Sequence, residues 1–214
     1  MENTLIINCS NGMRLSFVND NTFETFIDEQ TSRHSDDILM KIDELLSKCG
    51  VKIKDVKKIC VCVGPGSFTG VRVAISVCKG LAIGLGAKIF VLSNFDIFDI
   101  NEKKYYLVLE AFSNYVYFRR CLNGKILDQC VDVVSLKNQL DKNNFNIYCE
   151  NEKVQNLLNT NKIYAKIVKN NEIISFLKIS NDKAIKQISK ILPVYLRASQ
   201  AEIEREKKLK QESK

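Results

Sequence analysis

The residues with the best claim to chemistry are Gly64-Pro65-Gly66-Ser67-Phe68-Thr69-Gly70. They follow an apolar run, Ile59-Cys60-Val61-Cys62-Val63, that reads as a buried strand, and they precede a long apolar helical segment. Strand, glycine turn and helix N-terminus together favour anions, because unpaired N–H groups converge there. A Walker-type phosphate loop needs Gly-Lys-Ser/Thr after its glycines, and that Lys is missing. A dinucleotide fingerprint runs G-x-G-x-x-G, and Gly64, Gly66 and Gly70 miss that spacing by one residue. The third reading is a tight turn that orients a core helix, with Ser67 or Thr69 as N-cap. Metal chemistry has little to work with. There is a single histidine, His34, and none of the eight cysteines forms a C-x-x-C pair.

The helix that the turn must position is apolar on almost every side: Val71, Val73, Ala74, Ile75, Val77, Cys78, Leu81, Ala82, Ile83 and Leu85. Such a helix needs cover on two faces, where a surface helix hides one stripe. Ser76, Gly80 and Gly84 recur every fourth residue, so one ridge lacks bulk and another helix can approach closely. Each glycine costs about 1 kcal/mol against Ala in a helix interior, and close packing would offset that. Gly86 supplies the left-handed stop. Arg72 and Lys79 interrupt the run, and it is short for a bilayer span of about 20 residues. A partner subunit is expected on the second face, and no membrane.

The remaining elements follow in order. Strands are expected at Thr4–Cys9, Met13–Val18 and Thr22–Asp28, with Ser10-Asn11-Gly12 turning between the first two. A helix over Ser35–Lys48 carries Asp36 and Asp37 in its first turn and ends at Gly50. Lys88–Leu92 makes a further strand. In the second half, strands are read at Tyr105–Glu110, Tyr115–Leu122, Lys125–Val134, Asn146–Glu150 and Lys162–Ile167, with helices near Glu152–Asn159 and Asn181–Ile191. Asn123-Gly124 is a hairpin turn. Tyr105, Tyr106, Phe112, Tyr115, Tyr117 and Phe118 alternate with aliphatic residues and read as core rather than as a base-stacking surface.

The chain has 214 residues, 45% hydrophobic and 27% charged, an ordinary soluble composition able to bury a core. No basic n-region with an apolar h-region opens it, and the cysteines sit in apolar runs as reduced thiols do. A cytoplasmic protein is expected. The net charge of +7 suits contact with nucleic acid, but the basic residues are dispersed. The one cluster, Arg205, Lys207, Lys208 and Lys210, alternates with Glu202, Glu204, Glu206 and Glu212, as a solvated helix does.

GPGSFTGVRVAISVCKGLA closely resembles the signature of the TsaB (YeaZ) family, the dimerisation subunit of the bacterial machinery that makes threonylcarbamoyl-adenosine in tRNA. His34–Leu46 is similar to that family's first long helix, and Pro193-Val194-Tyr195-Leu196-Arg197 resembles its C-terminal PVYLR motif. The resemblance implies an α/β, actin-like ATPase (ASKHA) fold of two lobes, each a mixed sheet flanked by helices. The first lobe would be residues 1–100, joined by the tail 192–214, and the second, degenerate lobe residues 101–191.

It also implies how the parts are used. A partner, TsaD, would dock by two helices, with Ile38, Leu39, Ile42, Leu46, Arg72, Ser76, Lys79, Gly80, Ile83 and Gly84 at the interface. The ATPase TsaE would join through that complex, and tRNA would be met indirectly. Relatives end their first strand in Asp-Thr-Ser and their second lobe's first strand in Asp-Ala-Arg. Here Asn8-Cys9-Ser10 and Glu110-Ala111-Phe112 stand instead. Asn8, Ser10 and Glu110 would therefore mark a vestigial nucleotide cleft, since a neutral amide is a poor ligand for a hard dication. No catalytic residue, metal or cofactor is expected on this chain alone, with ATP or ADP held at a subunit junction. Two alternatives stay open: an ATP-dependent small-molecule kinase of the same fold, and a self-associating homodimer without a tRNA role.

Overall fold

The computed structural model describes residues 1–28, 34–140, 145–171 and 184–196. The chain divides into two compact units, Met1–Asp99 with Lys169–Val194, and Ile100–Val168 with Tyr195–Lys214. The expected second lobe ran to residue 191, whereas the chain rejoins the first unit from Lys169. There Asn171 N–H donates to the Ile97 carbonyl (2.8 Å) and Ile185 N–H to that of Ile89 (2.9 Å).

In the first unit, β1 (Thr4–Asn8), β2 (Met13–Val18) and β3 (Phe23–Asp28) form an antiparallel meander. β4 (Lys58–Cys62) and β5 (Lys88–Leu92) then add in parallel beside β1, giving the order β3-β2-β1-β4-β5. β1 is apolar at consecutive positions because both faces of the sheet are covered. Leu5 and Ile7 enter the main core, and Ile6 joins a smaller cluster with Val18, Cys60, Phe90 and Leu92 on the opposite face. The main core is closed by α1 (His34–Lys48) and α2 (Phe68–Leu85). Ser67 caps α2, its Oγ accepting from Gly70 N–H at 3.2 Å, and Gly86 at φ 64° ends it.

The second unit repeats this plan. β6 (Lys104–Glu110), β7 (Tyr115–Leu122) and β8 (Lys125–Asp132) are antiparallel, and β9 (Asn146–Cys149) and β10 (Lys166–Ile167) add in parallel beside β6. Read from the other edge, the order is β8-β7-β6-β9-β10, matching the first sheet strand for strand. α3 (Val133–Gln139) and α4 (Glu152–Thr160) occupy the places of α1 and α2. Asn123 and Gly124 turn the β7–β8 hairpin with φ of 51° and 82°, the left-handed pair that such a turn requires. Tyr106 and Phe118 are buried, and Tyr106 stacks on Phe145 at 4.5 Å between ring centroids.

Three expectations need correction. The strand read to Val134 stops at Asp132, because the Asp132 carboxylate accepts from Ser135 N–H (2.9 Å) and starts α3. The strand read over Lys162–Ile167 shrinks to its last two residues, since Lys162 and Ile163 are spent closing the end of α4. The helix read over Asn181–Ile191 has only a 3-10 turn, Ile188–Lys190, among its described residues, and 181–183 lie outside the description. Residues 197–214, including Arg197 and the charged tail, also lie outside it.

Candidate functional site

The glycine turn is a clasp between the end of β1 and the start of α2. A Cβ at Gly66 would lie 2.3 Å from the Ser10 carbonyl oxygen, and one at Gly70 would lie 2.1 Å from that of Cys9. Only glycine permits that approach. Ser67 N–H donates to the Ser10 carbonyl at 2.7 Å, and Asn94 N–H donates to the Gly64 carbonyl at 2.7 Å. The Asn94 amide donates to the Pro65 carbonyl at 3.0 Å. The Gly64–Pro65 bond is cis. Val194 N–H donates to the Val63 carbonyl at 2.8 Å, so the Pro193-Val194 stretch is tied directly to the root of the turn. The Ser67 and Gly70 N–H groups are thus both engaged within the turn, which joins the end of β1 to the start of α2.

Asn8 is engaged in the same joint. Its Oδ1 accepts from Ser10 N–H (3.0 Å) and Ser10 Oγ (2.6 Å), an Asx turn, and its amide donates to Asn94 Oδ1 at 3.4 Å. The structure thus brings Asn8 and Ser10 together as each other's partners. Glu110 belongs to the second unit, at the end of β6. Its carboxylate pairs with the Lys153 ammonium, and its N–H donates to the carboxylate of Glu150. Burial pushes the Glu150 carboxyl up to about 7, against the pull of that backbone bond. Sequence reasoning missed Glu150; its signal was position, one residue past β9 beside the end of β6. Among the described residues no three of His, Cys, Asp and Glu converge as a metal site.

The two helices meet the interface expectation unequally. Ile38, Ile42 and Leu46 are buried within the unit's own core and are unavailable to a partner. The apolar stripe of α1 was assigned outward, but the sheet claims it, because that face is the widest apolar surface the helix has. Leu39, 58% exposed, and its neighbour Met40 point away from that core. On α2, Val71, Ala74, Ile75, Cys78 and Ala82 are buried, and Val73, Val77, Leu81 and Leu85 pack partly against the same core. The helix is long and apolar enough to cross a membrane by length and composition, but this inward packing accounts for its apolar character. Of the α2 residues expected at the interface, Arg72, Ser76, Gly80, Ile83 and Gly84 are exposed, with Lys79 half-buried beside them. Ile83 is 71% exposed. Nothing lies within 4 Å of where a Cβ at Gly80 or Gly84 would stand. Arg72 lies over the Phe68 ring, 3.8 Å from its centroid.

Two five-stranded mixed sheets, each flanked by helices and repeating one strand order, define a two-lobed actin-like (ASKHA) fold. The YeaZ structure from Pseudomonas aeruginosa shares it with a TM-score of 0.69 and 18% identity, over 92% of this chain and 100% of that one. A family model described as "TsaD: tRNA N6-adenosine threonylcarbamoyltransferase" matches residues 23–98. The "tRNA threonylcarbamoyladenosine biosynthesis protein TsaB" of Haemophilus influenzae is 33% identical over 110 residues, 48% of this chain and 47% of that relative. A protein of the same description from Buchnera aphidicola subsp. Acyrthosiphon pisum is 24% identical over 169 residues, 70% of this chain and 76% of its own. These matches bear out the resemblance of the chain to the TsaB (YeaZ) family. The chain aligns with about half the length of the Haemophilus relative.

Proposed function

We propose that this chain is a non-catalytic scaffold subunit in tRNA threonylcarbamoyladenosine formation. It docks on a TsaD subunit through the outward face of α2 and the exposed Leu39 of α1. TsaE, ATP or ADP at a subunit junction, and tRNA are engaged by the assembly rather than by this chain's own active site, and the work is cytoplasmic. One observation carries the reading: α2 keeps Gly80 and Gly84 bare, with Ile83 exposed beside them, on a helix already anchored by its other side. Glycine in a helix interior costs about 1 kcal/mol, and a partner helix at close range is the physical return on it. An interface of standard size, roughly 1,600 Å², extends well beyond this ridge and takes in the neighbouring α1 surface. The names of the relatives support the pathway. The Asx turn at Asn8, which leaves no carboxylate at the end of β1, weighs against a kinase.

The test is light scattering of the chain alone and mixed with TsaD. A one-to-one heteromeric species is expected. Gly80→Leu should weaken assembly at least tenfold while circular dichroism and thermal unfolding stay near wild type. Unchanged assembly removes this face from the interface, and a wild-type homodimer that ignores TsaD removes the reading.

A further inference from the structure

We propose that the groove at the β9–β10 edge of the second sheet is an RNA contact that holds one unpaired nucleotide, with Tyr164 as its stacking platform and Lys162 and Lys166 as its phosphate ligands. This rests on the reading above that the chain works in tRNA modification, and goes beyond it in giving this chain a direct RNA contact, on a surface remote in sequence from the docking helices.

The groove exists because the sheet edge is incomplete. β10 pairs only Lys166 with Tyr148 and Ile167 with Cys149, whereas β9 begins at Asn146. Asn146 and Ile147 pair with β6 on their inner side and lack a strand outside them among the described residues. The chain leaving α4 bounds the gap, giving a cavity of about 340 Å³ lined by Phe145, Asn146, Ile147, Lys162, Tyr164 and Lys166, with Ile163 beneath. That volume lies at the small end of the range for ligand sites, on the order of one nucleotide. A two-residue gap is too short for an added peptide strand, which disfavours a β-augmenting protein.

The lining is chemically one-sided. It holds two ammonium groups and no carboxylate. Tyr164 is 78% exposed, a high value for an aromatic ring outside the core. Sequence-tolerant RNA contacts combine these two features, cations for the backbone and a ring for a base. One acid, Glu102, stands beside the groove: Asn146 Nδ2 donates to it at 2.8 Å and the Tyr148 hydroxyl donates to its other oxygen. Those bonds, with Lys166 nearby, hold its carboxyl below the usual range. Lys162 adds a separate indication. Lys162 N–H donates to the Asn159 carbonyl (2.9 Å) and Ile163 N–H to that of Leu158 (3.0 Å), closing α4 in a Schellman turn whose left-handed residue is ordinarily glycine. Lys162 takes that place at φ 60°. A lysine there bears backbone strain, only part of which attraction to the helix C-terminus offsets. Lys162 is exposed there and lines the groove, so the turn carries a cation at its rim.

The experiment is fluorescence anisotropy of a labelled, unmodified tRNA with the full chain, repeated across a salt series, with assembly on TsaD measured on the same samples. Wild type is expected to bind with a log–log salt slope. Lys162→Gln/Lys166→Gln should weaken binding about tenfold and flatten that slope by roughly 1.5, as loss of two phosphate contacts requires. Tyr164→Ala should weaken binding at least fivefold and leave the slope unchanged. Wild-type affinity in both variants overturns the proposal, as does a wild-type chain that binds polyglutamate in place of tRNA. Failure of the docking reading appears separately, as a wild-type chain that does not assemble.

Discussion

The C-terminal ends of β1 and β6 occupy the same place in two copies of one topology, and they are built in opposite ways. At the end of β1 a neutral joint of Asn8, Ser10, Asn94 and the glycine turn is filled by its own chain, with backbones in contact. At the end of β6 the corresponding space holds charge: Glu110, Glu150 and Lys153, with Asn151 capping α4. Equivalent topology therefore does not carry equivalent chemistry. The first unit uses the strand end as a hinge pin for an 18-residue helix, α2. The second has a nine-residue helix, α4, and no such pin.

The largest expected effect breaks the first half of this contrast. Gly66→Ala drives a methyl group to 2.3 Å from the Ser10 carbonyl, so the turn must shift as a body. A loss of about 4 kcal/mol or more in urea denaturation is expected; a loss below about 1 kcal/mol would show that the joint is loose. The next effect belongs to the second unit. Burial raises the folded-state value of Glu150 to about 7, above the ~4.3 of an exposed glutamate. Its protonated form is favoured on folding, so its contribution is whole below about pH 4 and is lost as pH climbs towards 7. Wild type should lose up to about 3 kcal/mol relative to Glu150→Gln across that window. Parallel stability curves for the two would place the charge in water.

Two smaller changes sharpen the contrast. Asn151→Ala removes the side chain that accepts from Val154 N–H at 2.9 Å, and should cost about 1 kcal/mol in thermal unfolding. Gly80→Ala meets open space, so it should stabilise the isolated chain by up to about 1 kcal/mol, the opposite sign to Gly66→Ala. Two glycines fourteen residues apart in one motif then answer differently, one serving the fold and the other serving what lies outside it.

The first unit was legible because its signals are local and agree. Alternation, the Ser67 cap and the Gly86 stop each place a boundary within about two residues of where it falls. In the second unit the signals conflict. Val133 and Val134 continue a strand pattern, and only the Asp132–Ser135 contact turns them into helix. The lysine in the left-handed place after α4 is equally silent, since nothing in its neighbours requires positive φ.

Composition and spacing alone determined the strand–helix order, the glycine joint and the apolar nature of α2, because hydrophobic periodicity and turn chemistry are properties of short stretches. Tertiary structure decided which side of each helix is spent internally. Ile38, Ile42 and Leu46 face the sheet and Gly80, Ile83 and Gly84 face away, a division set by how two helices share one sheet. It also decided that Asn8 reaches Asn94 and that Glu110 partners Lys153 and Glu150. Side chains choose among neighbours that the register of distant strands brings within reach, and no local pattern encodes that register.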